Sequence, residues 1–205
     1  MIEKKSKIKV GILGGSFDPI TVGHVDLANF VLNNNIVDQV WIIPCKKHKY
    51  DKKMESPTHR LNMCRIATSS FNKISVNGIE VKSCLSGTTY DLIKAIKSND
   101  ITNSIYEFSF IIGQDNANTF SNWYKNEELI KEISFIVVPR KGVETLEDWY
   151  KNPPHIFLDM ETNIPEISST EIRKALSFPN KKSDFLKNNL NSKVLDYIIK
   201  HKLYS

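Results

Sequence analysis

The sequence predicts an α/β fold: a parallel sheet with helices on both faces, completed by a small C-terminal helical subdomain. Three observations carry that prediction. Short apolar runs alternate with stretches of helical period along most of the chain, and the unusual glycine- and proline-bearing segments follow the apolar runs. After Pro165 the strand pattern stops and only helical spacing continues.

IKVGIL (8–13) is an apolar run bounded by glycine, the pattern of a strand covered on both faces. Behind it, VGHVDLANFVL (22–32) sets Val25, Leu27, Ala28, Val31 and Leu32 at helical spacing. DQVWIIP (38–44) is a second buried strand, stopped by Pro44, which cannot donate to a ladder. The segment CKKHKYDKKMES (45–56) is basic, lacks apolar period and is long for a loop, which marks a cover or a substrate-binding segment. Pro57 opens a helix over 57–71, with Leu61, Met63, Cys64, Ala67 and Phe71 along one side. KISVNGIEV (73–81) holds two short alternating pieces around Asn77-Gly78, and 88–98 carries Leu92, Ile93 and Ile96 at helical spacing. YEFSFIIG (106–113) and ISFIVVP (133–139) are buried strands with the helical NEELIKEI (126–133) between them, and HIFLDM (155–160) is a last strand. Helices are then expected at 169–177, about 182–189 and 191–201.

Parallel neighbours need crossover connections, which the intervening helices supply. In such sheets ligands sit beyond the carboxyl ends of the strands. The segments 14–24, 44–49, 113–123 and 139–142 all follow strands, so they should converge on one rim, with the last helices closing over it.

With 205 residues, 40% hydrophobic and 25% charged, the chain can bury one sizeable core as a soluble globular protein. A net charge of +5, spread over scattered lysines, suits nucleotides as well as nucleic acid. Cys45, Cys64 and Cys84 form no CxxC pair and are odd in number, so neither a disulfide framework nor a thiolate zinc site is indicated. The N-terminal MIEKKSKIKV lacks the apolar core of a signal peptide, and no stretch approaches the roughly 18 apolar residues that cross a bilayer. The expected location is cytoplasmic, with a nuclear address left open and no membrane partner.

Chemistry concentrates in two stretches. In GGSFDPITVGH (14–24), Gly14 and Gly15 allow close backbone approach, Ser16 adds a hydroxyl, and Thr21 and His24 lie three apart at a helix start. Free N–H groups and the helix dipole favour an anion there, and Gly23 keeps the surface open. A lone glycine pair or a lone histidine would be read as a structural turn; the combination with Phe17-Asp18-Pro19 favours a phosphate site. In ISSTEIR (167–173), Ser168 and Glu171 form a capping box, which alone explains a helix start. Yet Ser169, Thr170 and Arg173 share one side of its first turns, where hydroxyls, amides and a guanidinium can meet a phosphate.

These two stretches together resemble the paired signatures of the nucleotidylyltransferase superfamily, and within it the short bacterial-type nicotinate or nicotinamide mononucleotide adenylyltransferases. Thr89-Tyr90-Asp91, IIGQDNANTFSNW (111–123), His59-Arg60 and the PRKG turn (139–142) add to the resemblance, which runs from residue 8 to about 175. Two departures stand out. The nicotinate branch usually has histidine where Thr21 stands, shifting phosphate contact toward His24 and the backbone. It also often has a Pro-Pro-His-Lys-like sequence where this chain has CKKHKYDKK, with His48 and Lys49 as counterparts.

The resemblance implies a Rossmann-like nucleotide-binding domain over 1–165 and a helical subdomain over 166–205 packed on it. It implies a reaction in which the 5′-phosphate of the mononucleotide attacks the α-phosphorus of ATP, giving a dinucleotide and pyrophosphate. The attacking phosphate is already anionic, so no general base is required. His24, Thr21 and Arg173 are expected to donate onto the developing charge. ATP would lie on Gly14, Gly15, Ser16, Phe17, Gly23 and His24, with Gly113 and Asp115 at its ribose and Ser168, Ser169, Thr170 and Arg173 at its outer phosphates. The mononucleotide would meet Ser16, Phe17, His48, Lys49, Thr89 and Arg140, with Trp123 stacked on the pyridinium ring. Mg²⁺ would arrive on the ATP phosphates, since the sequence shows no carboxylate cage; Asp18 and Asp115 stay open as candidates. Lys46 and Lys47 either attract the phosphate or form a solvated charge run. Trp41, Trp149, His59, His155 and His201 read as packing or surface residues.

ATP and the mononucleotide are thus the expected partners, not nucleic acid, because the chain lacks an aromatic-and-basic stripe. The choice between nicotinate and nicotinamide, and assembly into a homo-oligomer, stay open. Phosphopantetheine adenylyltransferase or another sister enzyme, and a non-catalytic nucleotide-binding module, are the alternatives. Trp123 speaks against the first, His24 and Arg173 against the second.

Overall fold

The computed structural model describes residues 6–47, 53–83, 85–158, 164–165, 167–178 and 183–204. The first half runs β1 (Ile8–Gly15), α1 (Val22–Asn33), β2 (Gln39–Pro44), α2 (Pro57–Thr68), β3 (Ile74–Val76), α3 (Ile79–Lys82), α4 (Thr89–Lys97) and α5 (Asp100–Ile105). The second continues with β4 (Tyr106–Gly113), α6 (Gln114–Ala117), α7 (Asn126–Glu132), β5 (Ser134–Val138), β6 (Ile156–Phe157), α8 (Ser169–Leu176), α9 (Asp184–Asn189) and α10 (Ser192–Lys200). The strands form one parallel sheet in the order β3-β2-β1-β4-β5-β6. That order reverses between β1 and β4, the place where a Rossmann-like sheet opens a crevice.

Alternate strand residues serve two cores, as the pleat demands. Leu13, Ile42, Ile111 and Ile136 pack on one face with α1, α2 and the C-terminal helices, through Ala28, Met63, Ile172, Leu176, Val194 and Ile198. Ile12, Ile43, Phe110, Ile112 and Phe135 face the other way, onto Leu92, Ile93 and Ile96 of α4 and Leu129 of α7. The helices after Pro165 therefore share the apolar core beneath β1 and β4.

Several helix starts follow from their caps. Ser56 accepts the His59 amide ahead of Pro57, and Thr88 accepts the Asp91 amide at the head of α4. Ser168 and Glu171 make the reciprocal capping box that their spacing predicts. Of the two alternating pieces around Asn77-Gly78, the second is a one-turn helix, α3. Asn77 Oδ1 takes the Ile79 amide at 3.0 Å, which turns the chain before another strand can start. Helix α5, with no apolar stripe to announce it, rests on its Asn99 cap. Among the described residues no helix is long and apolar enough to cross a membrane.

Candidate active site

A cleft of about 400 Å³ opens beyond the carboxyl ends of β1, β2 and β4. Gly14, Gly15, Ser16 and His24 form one wall, Cys45, Lys47, Thr88 and Thr89 another, and Gly113, Trp123 and Arg140 a third. A smaller lobe of about 50 Å³ lies beside it, between Thr21, Gly23, Val138, Pro139, Ile164, Pro165 and Ile167. His24, Leu27, Gly113 and Arg140 line both lobes. Segments 14–24, 44–47, 113–123 and 139–140, far apart in sequence, thus meet on one rim.

Two glycines fit this rim by close approach. A Cβ on Gly23 would stand 2.7 Å from the Pro165 carbonyl oxygen, and one on Gly87, at φ +85°, would stand 2.6 Å from that of Lys47. Both neighbours are backbone, so a side chain at either position would push two loops apart.

His24 sits at the junction of the lobes, in the first turn of α1. Its Nδ1 accepts the Thr21 amide at 3.1 Å, so that nitrogen carries no proton, and the Thr21 hydroxyl 2.7 Å away must donate to it as well. The ring is therefore neutral with its proton on Nε2. The edge of buried Phe17 packs on it, centroids 5.1 Å apart; Phe17 itself holds a left-handed φ of 45°. Burial, and then the charge of Arg140, lower the His24 pKa from 6.5 to about 4. Because the folded value lies below the unfolded one, the stabilisation is full above about pH 6.5 and lost as pH falls toward 4. An NMR titration of the free protein should find the ring unprotonated down to about pH 5.5; a midpoint near the ordinary histidine value would refute this arrangement.

Arg140, after β5, and Asp115, at the start of α6, pair across Gly113 with Nε 3.2 Å from Oδ1. A Cβ on Gly113 would collide with both side chains, at 2.6 Å and 2.9 Å, so a bare backbone is what lets the pair cover the end of β4. Trp123 is half-buried against Phe110 and Phe120 and lines the larger lobe. Thr89 lines the same lobe at the N-terminus of α4.

The second motif docks on the first. Ser169 Oγ donates to the Pro19 carbonyl at 2.9 Å, and Arg173 donates one NH group to the Asp18 carbonyl at 2.7 Å and another to Thr170 Oγ1 at 3.0 Å. Ser168, Ser169, Thr170 and Arg173 line neither lobe; they flank the 18–21 turn that leads to His24. His48 and Lys49 lie outside the described residues, whereas the neighbouring Lys47 reaches the cleft wall. Trp41 packs on Tyr106 and Phe108, Trp149 on Phe120, and His155 Nδ1 accepts the Phe135 amide, all away from the cleft.

The sequence assigned no role to two residues, Glu80 and Arg60, the latter noted only within the His59-Arg60 match. Arg60 is fully buried in α2, donating to the carbonyls of Ser16 (2.6 Å), Cys45 (2.7 Å), Lys46 (3.3 Å) and Glu55 (2.9 Å). It ties together the loops after β1 and β2. The signal was its spacing, since Arg60 falls with Cys64 and Ala67 on the buried stripe of the helix. Glu80, also buried, accepts the Lys46 amide at 3.3 Å and lines the cleft. Burial pushes its carboxyl up to about 7, against the Lys46 amide and the Arg60 charge.

A family model described as cytidylyltransferase-like matches residues 12–175. The nicotinate-nucleotide adenylyltransferase of Bacillus subtilis (strain 168) is 31% identical over 199 residues, covering 96% of this chain and 98% of that protein. Among solved structures, Plasmodium falciparum nicotinic acid mononucleotide adenylyltransferase complexed with NaAD gives a TM-score of 0.79 at 32% identity, covering 97% of this chain and 98% of that one. The structure of that enzyme complexed with APC gives 0.76 at 30% identity, covering 96% and 97%.

Proposed function

The chain belongs to the cytidylyltransferase-like family, and from that premise we propose that it transfers the adenylyl group of ATP to nicotinate mononucleotide in NAD biosynthesis. An oxygen of the mononucleotide 5′-phosphate bonds to the α-phosphorus, the bond from that phosphorus to the bridging oxygen breaks, and pyrophosphate leaves with the electron pair. The observation that carries the assignment of roles is the neutral His24 ring, fixed by Thr21 through Nδ1 where the two lobes meet. Its Nε2 proton is available to a phosphate oxygen at neutral pH without being transferred. Thr21 acts through His24, taking the place that the family usually gives to a second histidine.

The side of the cleft at Gly113 and Arg140, which both lobes share, suits the adenosine half, and the side at Thr89 and Trp123 suits the mononucleotide. Gly14, Gly15 and Ser16, which wall the larger lobe with His24, suit the reacting phosphates, and the start of α8 stands by the turn for the outer ones. Among the described residues no cluster of three His, Cys, Asp or Glu side chains could hold a metal. Magnesium belongs to this reading as part of the MgATP substrate, shielding phosphate charge. Cytoplasmic location and action without nucleic acid go with it.

The test is pyrophosphate release from MgATP with nicotinate mononucleotide, nicotinamide mononucleotide and phosphopantetheine compared as acceptors. Preference for phosphopantetheine, or no turnover with either pyridine nucleotide, would overturn the reading. Stacking of a pyridinium on Trp123 is worth about 0.5–2 kcal/mol. Trp123→Ala should therefore raise KM for the mononucleotide by roughly 2- to 30-fold and leave KM for ATP nearly unchanged.

A further inference from the structure

We propose that Tyr204 is a positioning residue for adenylyl transfer: its phenol holds the buried Asp18 carboxylate and so keeps the Arg173 guanidinium on the Asp18 carbonyl and Thr170, beside the turn where the triphosphate would lie. The inference rests on the function proposed above.

Asp18, in the turn between Phe17 and Pro19, is fully buried. Its Oδ1 accepts two hydrogen bonds, from the Tyr204 hydroxyl at 2.8 Å and from the Glu55 amide at 3.2 Å. Its Oδ2, equally buried, has no hydrogen-bond partner among the described residues. Among the described residues the cation beside it is Arg173, whose NH1 stands 3.8 Å from Oδ2 and donates instead to the Asp18 main-chain carbonyl. A guanidinium and a carboxylate thus lie side by side without closing into a hydrogen-bonded pair.

The end of the chain is built to reach this point. Leu203 is buried in the core, Tyr204 turns back with a φ of 58°, and its amide donates to Glu55 Oε1 at 3.3 Å. Burial, and then the Asp18 charge, raise the phenol pKa above its ordinary value, so the hydroxyl keeps its hydrogen and acts only as donor. A bond from a hydroxyl to a carboxylate is among the stronger ones, and two donors on Oδ1 fix the plane of the carboxylate. Removing the phenol leaves the carboxylate with the Glu55 amide as its single donor, free to turn its already unpartnered Oδ2 toward Arg173. Arg173 would then close the 3.8 Å gap and turn away from the phosphates.

Tyr204→Phe should lower kcat/KM for ATP about tenfold, leave KM for the mononucleotide unchanged, and shift Tm only slightly. In an Arg173→Ala background, with no guanidinium to capture, the same substitution should cost nothing further. Equal losses in both backgrounds, parallel losses for both substrates with a large fall in Tm, or unchanged kinetics would each overturn the proposal. Should the wild type release no pyrophosphate, the proposed function fails first. Calorimetric binding of MgATP to wild type and Tyr204→Phe then reads the positioning inference alone, and equal affinities would sink it.

Discussion

His24→Ala is expected to lower kcat by about 10²- to 10³-fold, with KM for ATP and for the mononucleotide changed only slightly. The size follows from the role: one oriented donor onto a developing charge is worth about 3–4 kcal/mol in a water-poor site. The split between kcat and KM follows because such a donor acts on the transition state rather than on the bound substrates. Thr21 and Phe17 fix the ring on two sides, so the imidazole needs no reorganisation when charge builds. Steady-state kinetics over a range of both substrates check this. A loss confined to KM, or a kcat within fivefold of wild type, would mean that the ring merely fills space.

Arg60→Met should destabilise the protein by about 3–5 kcal/mol, the usual range when one partner of a buried charged network is removed. Methionine fills a similar volume but leaves the carbonyls of Ser16, Cys45 and Glu55 without their donor in a place that excludes water. It also strips Glu80 of a charge that counters its burial. Arg60→Lys should recover only part of the loss, because one ammonium group cannot reach carbonyls spread around a planar fork. Urea unfolding gives the number; a midpoint within experimental scatter of wild type would show that the loops hold without it.

Much of the fold was legible because a parallel sheet covered on both faces writes itself as unbroken apolar runs. In β4 and β5, neighbouring residues such as Phe110 and Ile111 belong to opposite cores, yet both must be apolar. The short helices α3 and α5 were not legible, since each starts on one asparagine side chain, Asn77 ahead of the α3 cap and Asn99 at the α5 cap, that reads equally well as a turn. At the candidate site, the glycines and histidine of 14–24 stand out because they lie close together in sequence, and Gly14, Gly15, Ser16 and His24 do line the cleft. Tyr204 escaped, and so did the buried role of Arg60, noted only within the His59-Arg60 match. A charged or phenolic side chain looks like surface until its partners are known, and those partners lie 44 and 186 positions away. Arg173, whose spacing suggested an anion, also donates to Asp18 and Thr170, contacts that its spacing could not announce.

The two lobes share His24 as a common wall, and this bears on what would block them. A compound that joins an adenosine-like head to a pyridine-like head by a short anionic bridge surrenders its freedom of movement once, whereas two separate ligands surrender it twice. The best template for such an inhibitor is therefore the product's own outline, and chemistry aimed at either side of the cleft alone starts at a thermodynamic disadvantage.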